Sequence, residues 1–296
     1  MSHIATLISN PKNPAVTRKA AAAAKALLPG AGDVAILDGE IASEIPFSPP
    51  ANSGIRQLTD KLRAALGEID VVIQPAENRR KRLFVADMDS TMIEQECVDE
   101  LAAFAGLKEH VARITERAMR GEIDFPPALR ERVALLKDLP ATVADDVLQK
   151  HIRLTAGGRA LVMTMKKHGA YTCLVSGGFT LFTQKIAAQL GFDENRGNRL
   201  VIEGGKLAGK VEEPILGSEA KLASLKELAA KLNIDLRDTL AVGDGANDLP
   251  MLRAAGLGVA YRAKPAVAAE ANARIEHGDL TALLYLQGYR REEFAE

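Results

Sequence analysis

Residues 83–91 have the sequence LFVADMDST, in which four apolar residues are followed by two aspartates. Such a short apolar run is typical of a strand that is buried on both faces of a parallel sheet. The stretches YTCLV at 171–175 and TLAV at 239–242 have the same character. Because helical patterns separate these strands, the sequence predicts a doubly wound, Rossmann-like α/β core.

A long helix-rich segment separates the first two of these strands. Residues 94–155 carry helical patterns with one predicted break, at Phe125-Pro126-Pro127. This distance is too long for a single crossover connection, and a structureless loop of that length is uncommon inside a compact domain. We therefore predict a helical cap, inserted into the core at about residues 94–155.

The segment before the core has a different order of predicted strands and helices. It predicts the order βαββαβ, which is typical of a ferredoxin-like α+β sandwich. A charged stretch at 77–82, ENRRKR, marks the predicted junction. We therefore predict two domains, at residues 1–78 and 79–296. The predicted elements are a strand at 3–9, a helix at about 14–28, strands at about 33–37 and 40–47, a helix at about 53–66 and a strand at 69–73.

Composition excludes several classes of protein. The chain has 296 residues, of which 47% are hydrophobic and 26% charged, and its net charge is −1. These values are typical of globular proteins, and the net charge provides no positive electrostatic field that would attract nucleic acid. No run approaches the roughly 18 apolar residues of a membrane span, and the N-terminus lacks the features of a secretory signal. Cys97 and Cys173 have no disulfide or metal-site spacing, which favours a reducing compartment, and we predict the cytoplasm.

Polar side chains follow all three predicted core strands. Because the carboxyl ends of parallel strands meet at one edge of a sheet, we expect these side chains to converge there. Each motif alone has an ordinary explanation as a turn or a helix cap, but carboxylates packed together need a compensating cation. Oxygen ligands of this kind favour Mg²⁺. The groups expected to converge are Asp87, Asp89, Ser176, Lys221, Asp244, Asn247 and Asp248.

These motifs resemble those of the haloacid-dehalogenase (HAD) superfamily of aspartate-nucleophile phosphotransferases. Within that superfamily, DMDSTMIEQECVDELA (87–102), VSGGF (175–179) and GDGANDLPML (243–252) are similar to the motifs of the phosphoserine phosphatase family. The resemblance covers residues 83 to about 290. It implies an Mg²⁺-dependent enzyme that hydrolyses O-phospho-L-serine through an aspartyl phosphate, in the final step of serine biosynthesis.

The resemblance also implies roles in catalysis. Asp87 is the implied nucleophile, and Asp89 the acid that protonates the leaving oxygen and the base that activates water. Ser176, Gly177 and Lys221 are implied to bind the phosphate. The implied metal ligands are Asp87, the main-chain carbonyl of Asp89, and Asp244, with Asp248 orienting the metal's ligands.

Substrate recognition is implied for residues of the cap. Glu96 is expected to bind the substrate's ammonium group and Arg132 its carboxylate, while Met119 and Phe125 wall the pocket. Asn247 is expected to lie near the substrate. Without the resemblance, Glu96 and Arg132 would be ordinary charges on helix surfaces, and Met119 and Phe125 would be packing residues.

Three alternatives remain open from the sequence. The same chemistry suits another small phosphomonoester, such as phosphohomoserine. Residues 1–78 also resemble the ACT-type modules found beside amino-acid enzymes, so the chain is alternatively a sensor in which this segment binds an amino acid or forms a homodimer. A binding protein with an inactive site is disfavoured, because no catalytic position is substituted.

Overall fold

The computed structural model describes residues 1–50, 54–119 and 122–295. Its N-terminal part has the predicted βαββαβ order and forms an antiparallel four-stranded sheet, in the order β2-β3-β1-β4. The elements are β1 (His3–Ile8), α1 (Arg18–Leu27), β2 (Ala35–Asp38), β3 (Ala42–Phe47), α2 (Ile55–Leu66) and β4 (Asp70–Pro75).

The first helix begins later than the predicted residue 14. The Thr17 side chain accepts a hydrogen bond from the Ala20 amide at 3.2 Å, so Thr17 caps the helix and α1 starts at Arg18. A hydroxyl at this position satisfies one of the amides that a helix start leaves without a partner. The strand predicted at 33–37 is likewise displaced, to Ala35–Asp38.

The two faces of the N-terminal sheet pack against different partners. On one face, Leu7 and Phe47 are buried beneath the two helices of this part. On the other face, Ile8 and Val72 belong to the same apolar cluster as the core of the following part. The antiparallel sheet is therefore covered on both faces, with the second face packed on the rest of the chain.

The second part is built on a parallel sheet, as predicted, and this sheet has six strands. Its order is β12-β11-β10-β5-β6-β7, and the Leu83–Ala86 strand lies buried near its centre. The strands are β5 (Leu83–Ala86), β6 (Tyr171–Phe179), β7 (Glu194–Asn198), β10 (Thr239–Gly243), β11 (Leu257–Tyr261) and β12 (Ala273–Ile275). An antiparallel hairpin, β8 (Leu200–Glu203) and β9 (Lys206–Val211), forms a separate two-stranded sheet.

The predicted cap consists of four helices. They are α3 (Cys97–Phe104), α4 (Lys108–Met119), α5 (Phe125–Ala134) and α6 (Val143–Lys150). The two prolines after Phe125 lie in the first turn of α5, where a missing amide hydrogen costs no internal hydrogen bond. The predicted break is therefore the start of a helix.

The remaining helices surround the parallel sheet. They are α7 (Gly158–Lys167), α8 (Thr180–Leu190), α9 (Ser218–Lys231), α10 (Leu249–Ala254), α11 (Pro265–Glu270) and α12 (Ala282–Leu286). Across the described ranges, no helix has the length and apolar character that crossing a bilayer requires.

Candidate active site

The central strands of the parallel sheet bring the predicted polar residues to one edge. β10 and β6 flank β5, so Asp244 and Asp87 directly follow adjacent strands, while Ser176 lies in the last part of β6, which extends beyond its predicted end at residue 175. Lys221 reaches the same place from the first turn of α9. The structure therefore brings together residues that are far apart in the sequence.

Lys221 connects two carboxylates at the bottom of the site. Its Nζ lies 2.7 Å from Asp87 Oδ1 and 2.6 Å from Asp248 Oδ1, and all three side chains are buried. Burial alone would lower the pKa of Lys221, but the two carboxylates raise it above its ordinary value. Burial and the charge of Asp248 raise the pKa of Asp87 well above its usual range, with Lys221 opposing them.

Asp244 completes a group of three carboxylates. Oxygen atoms of Asp87, Asp244 and Asp248 lie within 4.8 Å of one another. Thr91 Oγ1 donates to Asp244 Oδ1 at 3.2 Å, and the Met88 amide donates to Asp87 Oδ1 at 2.8 Å. The other oxygens of Asp87 and Asp244 accept no hydrogen bond from the described residues. This donor set of hard, partly unsatisfied oxygens suits a divalent cation such as Mg²⁺.

Asp89 is held by hydrogen bonds to both of its oxygens. The Cys97 amide donates to Oδ1 at 2.9 Å, and Ser176 Oγ donates to Oδ2 at 3.0 Å. Burial raises the pKa of Asp89, although the bonds from Cys97 and Ser176 oppose that rise. A Cβ on Gly178 would lie only 3.0 Å from Asp89 Oδ2, so this close packing depends on glycine.

The turn after Asp89 leads to the cap. Ser90 has a left-handed backbone, with φ of 55°, and its Oγ donates to Glu96 Oε1 at 2.7 Å. The Glu96 residue is exposed, but its carboxylate is held by this bond beside the Asp89 turn. Withdrawal from water and the nearby charge of Asp89 raise the pKa of Glu96 to about 7.

Arg132 lies on α5 with most of its hydrogen-bonding capacity unused. Its Nε donates to the Ala128 carbonyl at 3.3 Å, and its terminal nitrogens bind no described residue. Burial lowers the pKa of Arg132, while the charges of Asp99 and Glu96 oppose that change. The charge of Glu96 therefore acts on the guanidinium of Arg132.

Three further residues were predicted to line the substrate pocket, and their surroundings differ. The Phe125 ring approaches the backbone of β6, since its Cζ would lie 3.2 Å from a Cβ on Gly177. Met119 is the last residue of α4, but its side chain lies outside the described part of the structure. Asn247 is exposed in the turn after β10.

The sequence did not point to Thr91 or to the Cys97 amide as site groups. Thr91 had a signal, since it is the last residue of the DMDST motif at 87–91, whereas a main-chain amide has none. Both cysteines are buried and unpaired, and burial raises the pKa of the Cys97 thiol well above its ordinary value. A reactive thiolate is therefore disfavoured at Cys97.

Comparison with known proteins extends this description. Residues 84–253 match the haloacid dehalogenase-like hydrolase family. A phosphoserine phosphatase of Streptomyces coelicolor is 46% identical over 78% of this chain and 56% of its own length. One from Lactococcus lactis is 46% identical over 69% of this chain and 94% of its own length. A crystal structure of a HAD family hydrolase from Salmonella enterica serovar Typhi superposes with a TM-score of 0.85, at 29% identity, over 97% of this chain and 98% of that one.

Some of these relatives are longer proteins. The matched segment spans 56% to 63% of the length of three curated phosphoserine phosphatases, including the Streptomyces protein. The Salmonella hydrolase matches nearly the whole chain, so its likeness extends over the N-terminal sheet as well as the parallel sheet and the cap.

Proposed function

Because this chain belongs to the haloacid dehalogenase-like hydrolases and, within them, to the phosphoserine phosphatases, we propose that it hydrolyses O-phospho-L-serine to L-serine and phosphate. The observation that carries the proposal is the buried contact between Lys221 and Asp87, 2.7 Å long, beside the doubly hydrogen-bonded Asp89. Such a group of charges is costly to bury unless it has a function.

In the proposed reaction, Asp87 is the nucleophile. Its free carboxylate oxygen attacks phosphorus in line, a bond forms between that oxygen and phosphorus, and the bond from phosphorus to the serine oxygen breaks. The bonds from Lys221 and the Met88 amide to Oδ1 leave Oδ2 as the attacking atom. Water then hydrolyses the aspartyl phosphate, and Asp87 is regenerated.

Asp89 is the proposed proton carrier. It gives a proton to the leaving serine oxygen in the first step and takes one from the attacking water in the second. The hydrogen bonds from Cys97 and Ser176 orient its carboxyl. Phosphate is proposed to bind to the Gly177 amide, the Lys221 ammonium and the Ser176 hydroxyl, whose single proton turns from Asp89 to the phosphate.

The three clustered carboxylates fit a divalent cation. We propose that Asp87, the Asp89 carbonyl and Asp244 hold Mg²⁺, with Asp248 orienting that group through hydrogen bonds. Bound there, Mg²⁺ reduces the repulsion between two anions that approach each other.

Specificity is proposed to come from the cap. Glu96 takes the ammonium of the substrate, and Arg132 takes its carboxylate with the terminal nitrogens that bind no described residue. Phe125 lies over Gly177, where its ring limits the entry of water to the phosphate site. Met119 and Asn247 are proposed to complete the pocket.

Phosphate release tests this proposal directly. We would assay O-phospho-L-serine, phosphothreonine, phosphohomoserine, a sugar phosphate and p-nitrophenyl phosphate, each with Mg²⁺ and with EDTA. A metal-dependent preference for phosphoserine is expected. Equal rates on all five substrates would contradict the proposed specificity and favour a general phosphomonoesterase, and no release at all would contradict catalysis.

The compartment and the metabolic step of the enzyme are also proposed. We propose that it acts in the cytoplasm, in the last step of serine biosynthesis, since free L-serine is the product of the proposed reaction. Growth without serine, restored in a strain that lacks phosphoserine phosphatase, is the expected result. Failure of the active enzyme to restore growth would contradict this role.

Residues 1–78 are proposed to be an ACT-like domain that senses an amino acid or forms a homodimer. A cavity of about 730 Å³ supports ligand binding, because it lies between α2, β4 and the β12 edge and has Arg63 and Arg274 in its wall. We would measure turnover with added L-serine and sedimentation over a range of protein concentrations. Unchanged turnover contradicts sensing, and a constant monomer mass contradicts the dimer.

A further inference from the structure

The backbone of Gly177 lies where the pairing of β6 with β7 is interrupted. Val175 is paired with Arg196, and the next pair is Phe179 with Asn198. Three residues of β6 therefore oppose a single residue of β7. In such a bulge, the backbone groups of the longer strand lose their ladder partners and need others.

The Asn198 side chain replaces the missing partner. Its Nδ2 donates to the Gly177 carbonyl at 2.8 Å, and the side chain is almost wholly buried. The amide at the other end of the same peptide unit, on Gly178, donates to Ser176 Oγ at 2.8 Å. The Gly177–Gly178 peptide is therefore held at both of its polar ends.

The same side chain binds a second segment of the site. Asn198 Nδ2 donates to the Leu216 carbonyl at 3.1 Å, and the Leu216 amide donates to Asn198 Oδ1 at 2.8 Å. Leu216 lies in the 213–217 loop, which leads directly into the helix that carries Lys221. One buried amide thus connects the Gly177 backbone to the segment that precedes Lys221.

The 213–217 loop is also fixed to the cap. Arg130 on α5 donates to Glu213 Oε1 from two nitrogens, at 2.6 and 3.0 Å. Glu213 Oε2 accepts from the Ile215 amide at 3.2 Å, so the loop is held on its outer side as well. Asn198 therefore lies at the inner end of a path of hydrogen bonds from the cap to the phosphate site.

We propose that Asn198 is a positioning residue, which sets the Gly177 backbone and the Lys221 helix at the spacing that a phosphoryl group requires. This inference rests on the proposed function, because it assumes that Gly177 and Lys221 bind phosphate. An aspartate at position 198 keeps the acceptor for the Leu216 amide but loses both donated bonds. Errors of about 1 Å in such a site can cost about 100-fold in rate.

The test compares Asn198→Asp and Asn198→Ser with Asn195→Asp, a control on the same strand. Asn195 accepts one hydrogen bond, from Thr183 Oγ1 at 2.8 Å, which an aspartate can still accept. For both Asn198 variants we expect kcat/KM on phosphoserine to fall at least about 10-fold. We expect kcat/KM on p-nitrophenyl phosphate to fall by the same factor. Inhibition by inorganic phosphate should weaken in parallel, while the control stays within twofold of the wild type.

The outcomes separate positioning from stability. A variant with a lower Tm but wild-type kcat/KM and wild-type inhibition by phosphate would overturn the proposal, as would a loss confined to phosphoserine. Two variants are used so that one that fails to fold does not decide the test, and failure of both to fold would also overturn a role specific to the site.

If the proposed function is wrong, the wild-type enzyme itself gives a different result in these assays. A wild-type enzyme that hydrolyses p-nitrophenyl phosphate but not phosphoserine contradicts the proposed substrate, and the Asn198 effect is then measured on the first compound. If the wild type hydrolyses neither, calorimetry with inorganic phosphate tests Asn198, and affinity that is unchanged in the Asn198 variants overturns the positioning role.

Discussion

Lys221 Nζ lies 2.7 Å from Asp87 Oδ1, in a contact from which water is almost wholly excluded. The ammonium fixes the proposed nucleophile in one rotamer and compensates its charge. It also bonds to Asp248, so a single cation holds two of the three carboxylates proposed to surround the metal. Removing this cation changes both stability and the charge available to a transferring phosphoryl group.

We expect Lys221→Met to lose activity and stability together. The loss of one fixed cation at the transition state should lower kcat about 10²–10³-fold. Two buried carboxylates without a partner should reduce the free energy of unfolding by about 3–5 kcal/mol without metal. Because Mg²⁺ supplies positive charge at the same place, it should raise the Tm of the variant more than that of the wild type. Equal Tm shifts in calorimetric scans would contradict this account, and exposed Lys226→Met is the control.

Asp87→Asn should abolish turnover while the protein remains folded. The substitution preserves shape but removes the attacking oxygen, and loss of a nucleophile typically costs about 10⁴-fold or more in kcat. Because the pKa of Asp87 is raised by burial, the neutral side chain should not destabilise the metal-free protein. Rapid-quench experiments should trap a phosphoenzyme from the wild type and none from the variant. A variant that still forms phosphoenzyme would show that another group is the nucleophile.

Arg132→Ala should separate substrate recognition from chemistry. A bidentate pair between Arg132 and the substrate carboxylate predicts a loss of about 2 kcal/mol or more, or about 30-fold in kcat/KM, on phosphoserine. The same variant should hydrolyse p-nitrophenyl phosphate at nearly the wild-type rate, because that compound has no carboxylate. Arg113→Ala, on the exposed side of α4, is the matched control. Equal losses on both substrates would contradict a carboxylate-binding role.

Several elements of the fold were predictable because their apolar residues are regularly spaced or consecutive in the sequence. The strand 83–86 was identified from four consecutive apolar residues, and the strand 239–242 from a run in which three of four residues are apolar. β7, with the sequence ENRGN, was missed because it is polar and its one fully buried residue is Asn198. A strand at the edge of a sheet can be stabilised by backbone bonds that leave no apolar pattern.

The site was predictable to the extent that its residues occur in motifs at strand ends. Asp87, Asp244 and Asp248 meet as the parallel topology requires. Asn198 was not predictable, because its partners lie 21 and 18 residues away and depend on a bulge that no local pattern indicates.

The pH dependence should report the ionisation of Glu96. Its pKa of about 7 means that the carboxylate is mostly protonated at pH 6 and mostly ionised at pH 8. Only the ionised form attracts an ammonium group strongly, so the ratio of kcat/KM for phosphoserine to that for p-nitrophenyl phosphate should rise several-fold over this interval. The ratio corrects for groups that titrate in both reactions. In Glu96→Gln this ratio should no longer change with pH. A ratio that falls with rising pH in the wild type would contradict the proposal that Glu96 binds the ammonium group.

Asp70 should anchor the N-terminal sheet to the rest of the chain. Its carboxylate accepts the amides of Glu276, His277 and Gly278 at 2.8, 3.0 and 2.7 Å. Oxygen and nitrogen atoms of Asp70, Glu276 and His277 come within 4.8 Å of one another, but these three bonds already explain the buried carboxylate without a metal.

Asp70→Ala leaves those three amides without a partner. Since hydrogen bonds to a charged group contribute about 1.5–3 kcal/mol each, we expect a loss of at least about 3 kcal/mol and a Tm lowered by about 6 °C or more. Activity below the transition should be unchanged, because the hydrogen bonds of the Asp70 carboxylate in the described structure go to residues 276–278, none of which is proposed to bind phosphate or metal. Asp60→Ala, an exposed partner of Arg63 at 3.8 Å, should shift the Tm little. Equal Tm values for the two variants in calorimetric scans would show that the amides find other partners and that apolar packing alone holds the two sheets together.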